Sequence, residues 1–130
     1  MADFTGKYKQ ISSDNFGALL KEMGATDDII NRVANQTQEL EITKNGNVFT
    51  YKSVTPERTH EFSFELGKEF DESRPDGKTV KSIVVSDGNK WVQTTKGEKE
   101  LKVVRELQGN DLRTTATVGS VVAVRVYTRV

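Results

Sequence analysis

Turn residues punctuate this chain at nearly even intervals. Gly46, Pro56, Gly67, Gly77, Gly88, Gly97, Gly109 and Gly119 fall 10, 11, 10, 11, 9, 12 and 10 residues apart. Turn signals every 8–12 residues between alternating segments indicate an all-β sandwich or barrel. Asn45-Gly46, Asp76-Gly77 and Asp87-Gly88 are hairpin dipeptides, suited to turns that require positive φ. The segments between turns carry β-branched and aromatic residues, as in Val48-Phe49-Thr50-Tyr51 and Val80-Lys81-Ser82-Ile83-Val84-Val85. Eight turns bound nine strands, and Lys7–Ile11 supplies a tenth. Consecutive short hairpins predict a meander, and a ten-stranded meander closes naturally into a barrel, which removes edge strands. About eight strands leave an interior that side chains just fill, so ten predict room for a guest.

One stretch has helical periodicity instead. Ser13 is placed to cap a helix whose face is Phe16, Leu19, Leu20 and Met23, at i, i+3, i+4 and i+7, and Gly24 stands where a terminating glycine belongs. Thr26 is placed to cap a second helix, with Asp27 and Asp28 in its first turn and Ile29, Ile30 and Val33 as its apolar face. The chain therefore reads as a single domain over residues 1–130, almost entirely strand, with a helical insert from about 14 to 35.

Composition excludes several classes of function. Nineteen Lys+Arg balance nineteen Asp+Glu, so no whole-body field attracts nucleic acid or an anionic bilayer. Nucleic acid is not an expected partner. There is no cysteine and one histidine, His60, which removes disulfides, thiol catalysis and Cys- or His-rich metal sites; no cofactor is expected. The sequence has no apolar run of signal-peptide type at its start and no 18-residue apolar window, which predicts a cytoplasmic protein. Gly119-Ser120 lacks a nucleophile-elbow frame, and His60 shows no orienting carboxylate, so an esterase-like enzyme is disfavoured.

Three stretches together resemble the intracellular fatty-acid-binding proteins, relatives of the cellular retinoid-binding proteins, along essentially the whole chain. The first is Phe4-x-Gly6-Lys7-Tyr8-Lys9 with Asn15-Phe16 and Met23-Gly24. The second runs from Phe62 to Glu72 and continues through Asp76-Gly77-Lys78-x-Val80-Lys81-Ser82. The third is Val104-Arg105-Glu106-Leu107 with Val124-Arg125-Val126-Tyr127. The resemblance implies a β-clam, an up-and-down barrel of two orthogonal five-stranded sheets under a helix–turn–helix lid.

It also implies that Arg105, Arg125 and Tyr127 bind a ligand carboxylate inside the barrel. The residues support this unevenly. Leu101, Val103 and Leu107 place Arg105 on an apolar face, where a guanidinium needs a partner: a ligand, or an internal carboxylate that pairs with it permanently. Val122, Val124 and Val126 make the other face of the last strand look like core, which would leave Arg125 and Tyr127 outside. A hollow barrel reverses that logic, and the resemblance favours it. The same resemblance implies cavity or portal positions at Phe16, Leu19, Leu20, Ile29, Ile30, Val33, Glu57, Pro75, Asp76, Thr95, Thr114 and Ala116. Trp91 reads as barrel filling and His60 as a surface residue. Three departures stand out: Glu57 where the resemblance implies an apolar portal residue, Pro75 where a small residue is usual, and no proline within Gln36-Thr37-Gln38-Glu39.

The function these features imply is a monomeric, noncovalent carrier of long-chain fatty acids, with transient membrane contact left open. Retinoic acid in the same fold is the alternative ligand. A membrane-stacking role fits poorly with zero net charge.

Overall fold

The computed structural model describes residues 3–33, 36–56, 59–73, 79–97 and 99–130. Ten strands follow in order: β1 (Gly6–Asp14), β2 (Glu39–Asn45), β3 (Val48–Val54), β4 (Thr59–Glu65), β5 (Phe70–Ser73), β6 (Thr79–Asp87), β7 (Lys90–Lys96), β8 (Leu101–Gln108), β9 (Asp111–Val118) and β10 (Val121–Arg129). Two helices, α1 (Phe16–Glu22) and α2 (Asp27–Val33), separate β1 from β2. The strands form one antiparallel sheet in the order β4-β3-β2-β1-β10-β9-β8-β7-β6-β5, a nearly closed barrel. Glycines 46, 88, 109 and 119 have positive φ in turns between paired strands, so the hairpin reading holds there; Gly67 also has positive φ, but the strands it joins are not paired with each other. The turn at Gly77 lies outside the described residues.

The meander is joined into a ring by its ends. Tyr8 pairs with Arg129 and Asp14 with Val124 along β1 and β10, with a bulge between Gln10 and Ser12. The extra residue, Ile11, turns outward and is 57% exposed. The expectation that closure removes edge strands is not met, since β4 and β5 stand at the two ends of the sheet. Among the described residues no ladder joins β4 to β5. Side chains span this seam instead: Phe62 stacks on Phe70 at 5.6 Å, Phe64 on Phe70 at 5.7 Å, and His60 Nε2 stands 3.6 Å from Glu72 Oε2.

One end of the barrel is plugged by aromatic rings. Phe4 stacks on Trp91 at 4.1 Å, and Phe49 and Phe64 meet the same indole edge-on at 4.8 and 5.2 Å. Trp91 is therefore barrel filling, as its strand pattern suggests. A second cluster lies at the other end, where Leu19 of α1 is buried with Val118 and Ala123 and flanked by Phe16, Met23 and Ala116.

The first helix starts later than the sequence suggests. β1 runs on through Ser13 to Asp14, and the residue before α1 is Asn15, at φ 65°. Its amide does not cap the helix but donates to the Val122 carbonyl oxygen at 2.9 Å, fastening the helix start to β10. Gly24, at φ 93°, ends α1 as expected. Thr26 Oγ1 accepts from the Ile29 amide at 3.4 Å, the N-cap geometry its position predicts. Lys99 Nζ donates to the Glu22 carbonyl at 2.8 Å and to its carboxylate at 3.0 Å, tying the end of α1 to the barrel.

Candidate ligand-binding site

Directly opposed residues on neighbouring antiparallel strands point to the same face of a sheet. Arg105 on β8 opposes Thr114 on β9, and Thr114 opposes Arg125 on β10. The three form a row across three strands, and that row faces inward, since Arg105 is 7% exposed and Arg125 4%. Tyr127, two residues on from Arg125, is buried on the same face. The valine pattern of β10 is thus inverted relative to its appearance. Val122 is 45% exposed, whereas Ala123, Arg125 and Tyr127 are buried.

Each guanidinium is held on one side and open on another. Arg105 Nη1 donates to Gln93 Oε1 at 2.6 Å, and its Cζ lies 4.4 Å from the centre of the Tyr51 ring. Arg125 Nε donates to Ser13 Oγ at 3.1 Å, and its Cζ lies 3.4 Å from the centre of the Phe16 ring. Ser13, expected as a helix cap, instead orients an arginine. Arg105 Nε, Arg125 Nη2 and Thr114 Oγ1 are buried without a hydrogen-bond partner in the described protein. Tyr127 donates its hydroxyl to Gln38 Oε1 at 3.0 Å. Burial pushes the Tyr127 phenol well above its ordinary pKa, so it stays a neutral donor.

Behind Arg105 runs a polar relay that the sequence does not reveal. Gln93 Nε2 donates to Glu72 Oε1 at 2.9 Å, and Ser82 Oγ donates to the same oxygen at 3.0 Å. Thr95 Oγ1 lies 2.7 Å from Ser82 Oγ and accepts from Gln93 Nε2 at 3.3 Å. Burial pushes the Glu72 carboxyl up, but the His60 imidazole, the Ser82 hydroxyl and the charge of Arg105 outweigh it, so its pKa is lowered. His60 is therefore a half-buried partner of Glu72 rather than a surface residue. An internal carboxylate for Arg105 does exist, yet Gln93 stands between the two, so the arginine keeps an open donor. Strand alternation could have flagged Gln93, which sits between Trp91 and Thr95 on the buried face of β7.

The remaining expected positions divide three ways. Phe16 caps Arg125, Leu19 and Ala116 pack under α1, and Leu20, Ile29 and Ile30 are half-buried on the helices. Thr95 belongs to the relay rather than to the anion row. Glu57, Pro75, Asp76 and the side chain of Val33 lie outside the described residues.

A nearly closed antiparallel barrel with two buried guanidiniums and a helical pair over one end is the architecture of a lipid-binding barrel protein. Over residues 5–130 the chain matches the lipocalin / cytosolic fatty-acid binding protein family, and it belongs to that family of lipid carriers. A fatty acid-binding protein of Lepidoglyphus destructor is 40% identical over 130 residues, covering 99% of each chain. The crystal structure of a fatty acid-binding protein in brain tissue of Drosophila melanogaster superposes with a TM-score of 0.92 at 41% identity, covering 97% of this chain and 99% of that one. A Schistosoma mansoni fatty acid binding protein in complex with arachidonic acid gives a TM-score of 0.93 at 32% identity, covering 98% and 96%. No helix among the described residues is long and apolar enough to cross a membrane.

Proposed function

We propose that this protein is a monomeric cytoplasmic carrier of long-chain fatty acids that holds its ligand without making or breaking a covalent bond. The observation that carries the reading is the pair of buried guanidiniums, each with an unpartnered N–H on the inner face of the barrel. Among the described residues the interior holds two buried guanidiniums, Arg105 and Arg125, and one half-buried carboxylate, Glu72, so these groups together are one positive charge in excess. A monocarboxylate neutralises that excess. Charge-assisted hydrogen bonds to two guanidiniums then fix its orientation, with Tyr127 adding a neutral donor once its hydroxyl turns from Gln38. The acyl chain supplies most of the affinity by leaving water, at about 0.8 kcal/mol per buried methylene. The names of the relatives, and the arachidonic acid held by the Schistosoma protein, support the same ligand class.

The test separates headgroup from tail. Calorimetry with oleate and with oleyl alcohol should show Arg125→Leu weakening the acid by about 2 kcal/mol, the low end for losing one partner of a buried charged pair. The alcohol should change little. Equal losses for acid and alcohol would remove Arg125 from the carboxylate site. Retinoic acid displacing oleate at comparable concentration would shift the reading toward a broader class of apolar carboxylates.

A further inference from the structure

The row Arg105–Thr114–Arg125 contains one short side chain between two long ones. Adjacent strands lie about 4.8 Å apart, which separates the two arginine backbones by about 10 Å with Thr114 midway. The guanidiniums therefore form the walls of a well, and the threonine hydroxyl is its floor. Every member of the row has a buried polar atom without a partner: Arg105 Nε, Thr114 Oγ1 and Arg125 Nη2. A buried hydroxyl left unsatisfied costs free energy, and three such atoms on three adjacent strands are not independent accidents of packing. One acceptor placed over Thr114 satisfies all of them. Among the described residues, the acceptors beside Arg105 are already engaged: Glu72 Oε1 takes Ser82 and Gln93, and Gln93 Oε1 takes Arg105 Nη1.

We infer that Thr114 is a ligand-binding residue, donating its hydroxyl to the carboxylate that bridges Arg105 and Arg125. The inference rests on the carrier reading above and makes the headgroup preference depend on β9 as well as on β8 and β10. A carboxylate has two oxygens and about four lone-pair directions. Two are spoken for by the arginines, and a third points down to Thr114. An alcohol or an ester offers no such set of acceptors. The hydroxyl therefore adds discrimination between an acid and its uncharged analogues, beyond what charge alone provides.

Thr114→Val keeps the shape and removes the hydroxyl. Calorimetry should show oleate binding about tenfold weaker, the effect of one hydrogen bond to a charged group, with oleyl alcohol and methyl oleate changed less than about twofold. The ligand-free variant should melt higher by about 2–5 °C, because a buried unpaired hydroxyl is gone. Thr114→Ser should return oleate affinity to within about twofold of the original. Oleate affinity unchanged in Thr114→Val overturns the assignment, as does an equal loss for acid, ester and alcohol, which is a packing effect. Failure of the unaltered protein to bind oleate overturns the carrier reading, and this inference with it.

Discussion

At the scale of single residues, the interior is organised by what each charge is given to hold. Glu72 is half-buried yet favoured as an anion, because His60, Ser82 and the charge of Arg105 outweigh its desolvation. A carboxyl whose folded pKa lies below its ordinary value of 4.5 stabilises the fold fully above that value. The contribution disappears as pH falls through the depressed folded value. Glu72→Gln should therefore flatten the acid limb of the stability curve as pH falls below about 4.5, while leaving the neutral plateau less affected. Melting temperatures recorded across that range for both proteins provide the check. Parallel acid limbs would show that Glu72 is not linked to folding. The relay also explains why Arg105 was only half legible from the sequence. Alternation along β8 located the buried guanidinium, but alternation reports polarity and burial, never partners. Gln93, Ser82 and Glu72 come from three other strands, and only the registers bring them together.

At the scale of elements, β10 and α1 show where sequence patterns succeed and where they invert. The turns were legible because a two-residue hairpin needs specific backbone angles, and Asn-Gly and Asp-Gly provide them. The β10 face was misleading because valine serves two purposes. It favours strands through its β-branched shape, whichever side of the sheet it occupies. A barrel that binds a polar headgroup keeps arginine inside and valine outside. The start of α1 was misplaced for a related reason: Ser13 has the chemistry of a cap but is used to hold Arg125. This contact, with the Phe16 ring lying 3.4 Å from Arg125 Cζ, joins the helix to the headgroup site. Phe16→Ala removes a desolvated cation–π contact of about 1–2 kcal/mol and one wall between the anion and solvent. Stopped-flow release of a fluorescent fatty acid should accelerate by about five- to thirtyfold. An unchanged release rate would mean that Phe16 does not shield the site.

At the scale of the whole molecule, the carrier reading makes charge distribution the feature that would govern how a ligand leaves. The segment from Ser13 to Val33 carries Lys21 and Arg32 against Asp14, Glu22, Asp27 and Asp28. Each basic residue near an anionic membrane contributes about 1 kcal/mol of attraction, and the acidic neighbours oppose it. Lys99 offsets only one of them, through its bond to Glu22. Transfer of a fluorescent fatty acid to vesicles should then proceed by dissociation into water, at a rate independent of vesicle concentration and of anionic lipid content. A rate that rises in proportion to acceptor vesicles would point instead to a collisional contact. Asp27→Lys combined with Asp28→Lys should move the protein toward that behaviour with affinity nearly unchanged.

The seam between β4 and β5 gives the barrel one compliant direction. Everywhere else, a larger circumference would mean pulling apart paired backbone amides and carbonyls, and those breaks come as a cooperative set. At the seam, the strands are bridged only by side-chain contacts among the described residues, the Phe62–Phe70 and Phe64–Phe70 ring stacks and the His60–Glu72 pair, and parting these breaks no backbone ladder. A change of girth would therefore be least costly on the side of the wall that holds Glu72, while the strands bearing Arg105, Thr114 and Arg125 are held in register by backbone ladders. On the carrier reading proposed above, a container built this way would keep a fixed grip on one end of its cargo and an elastic fit around the rest.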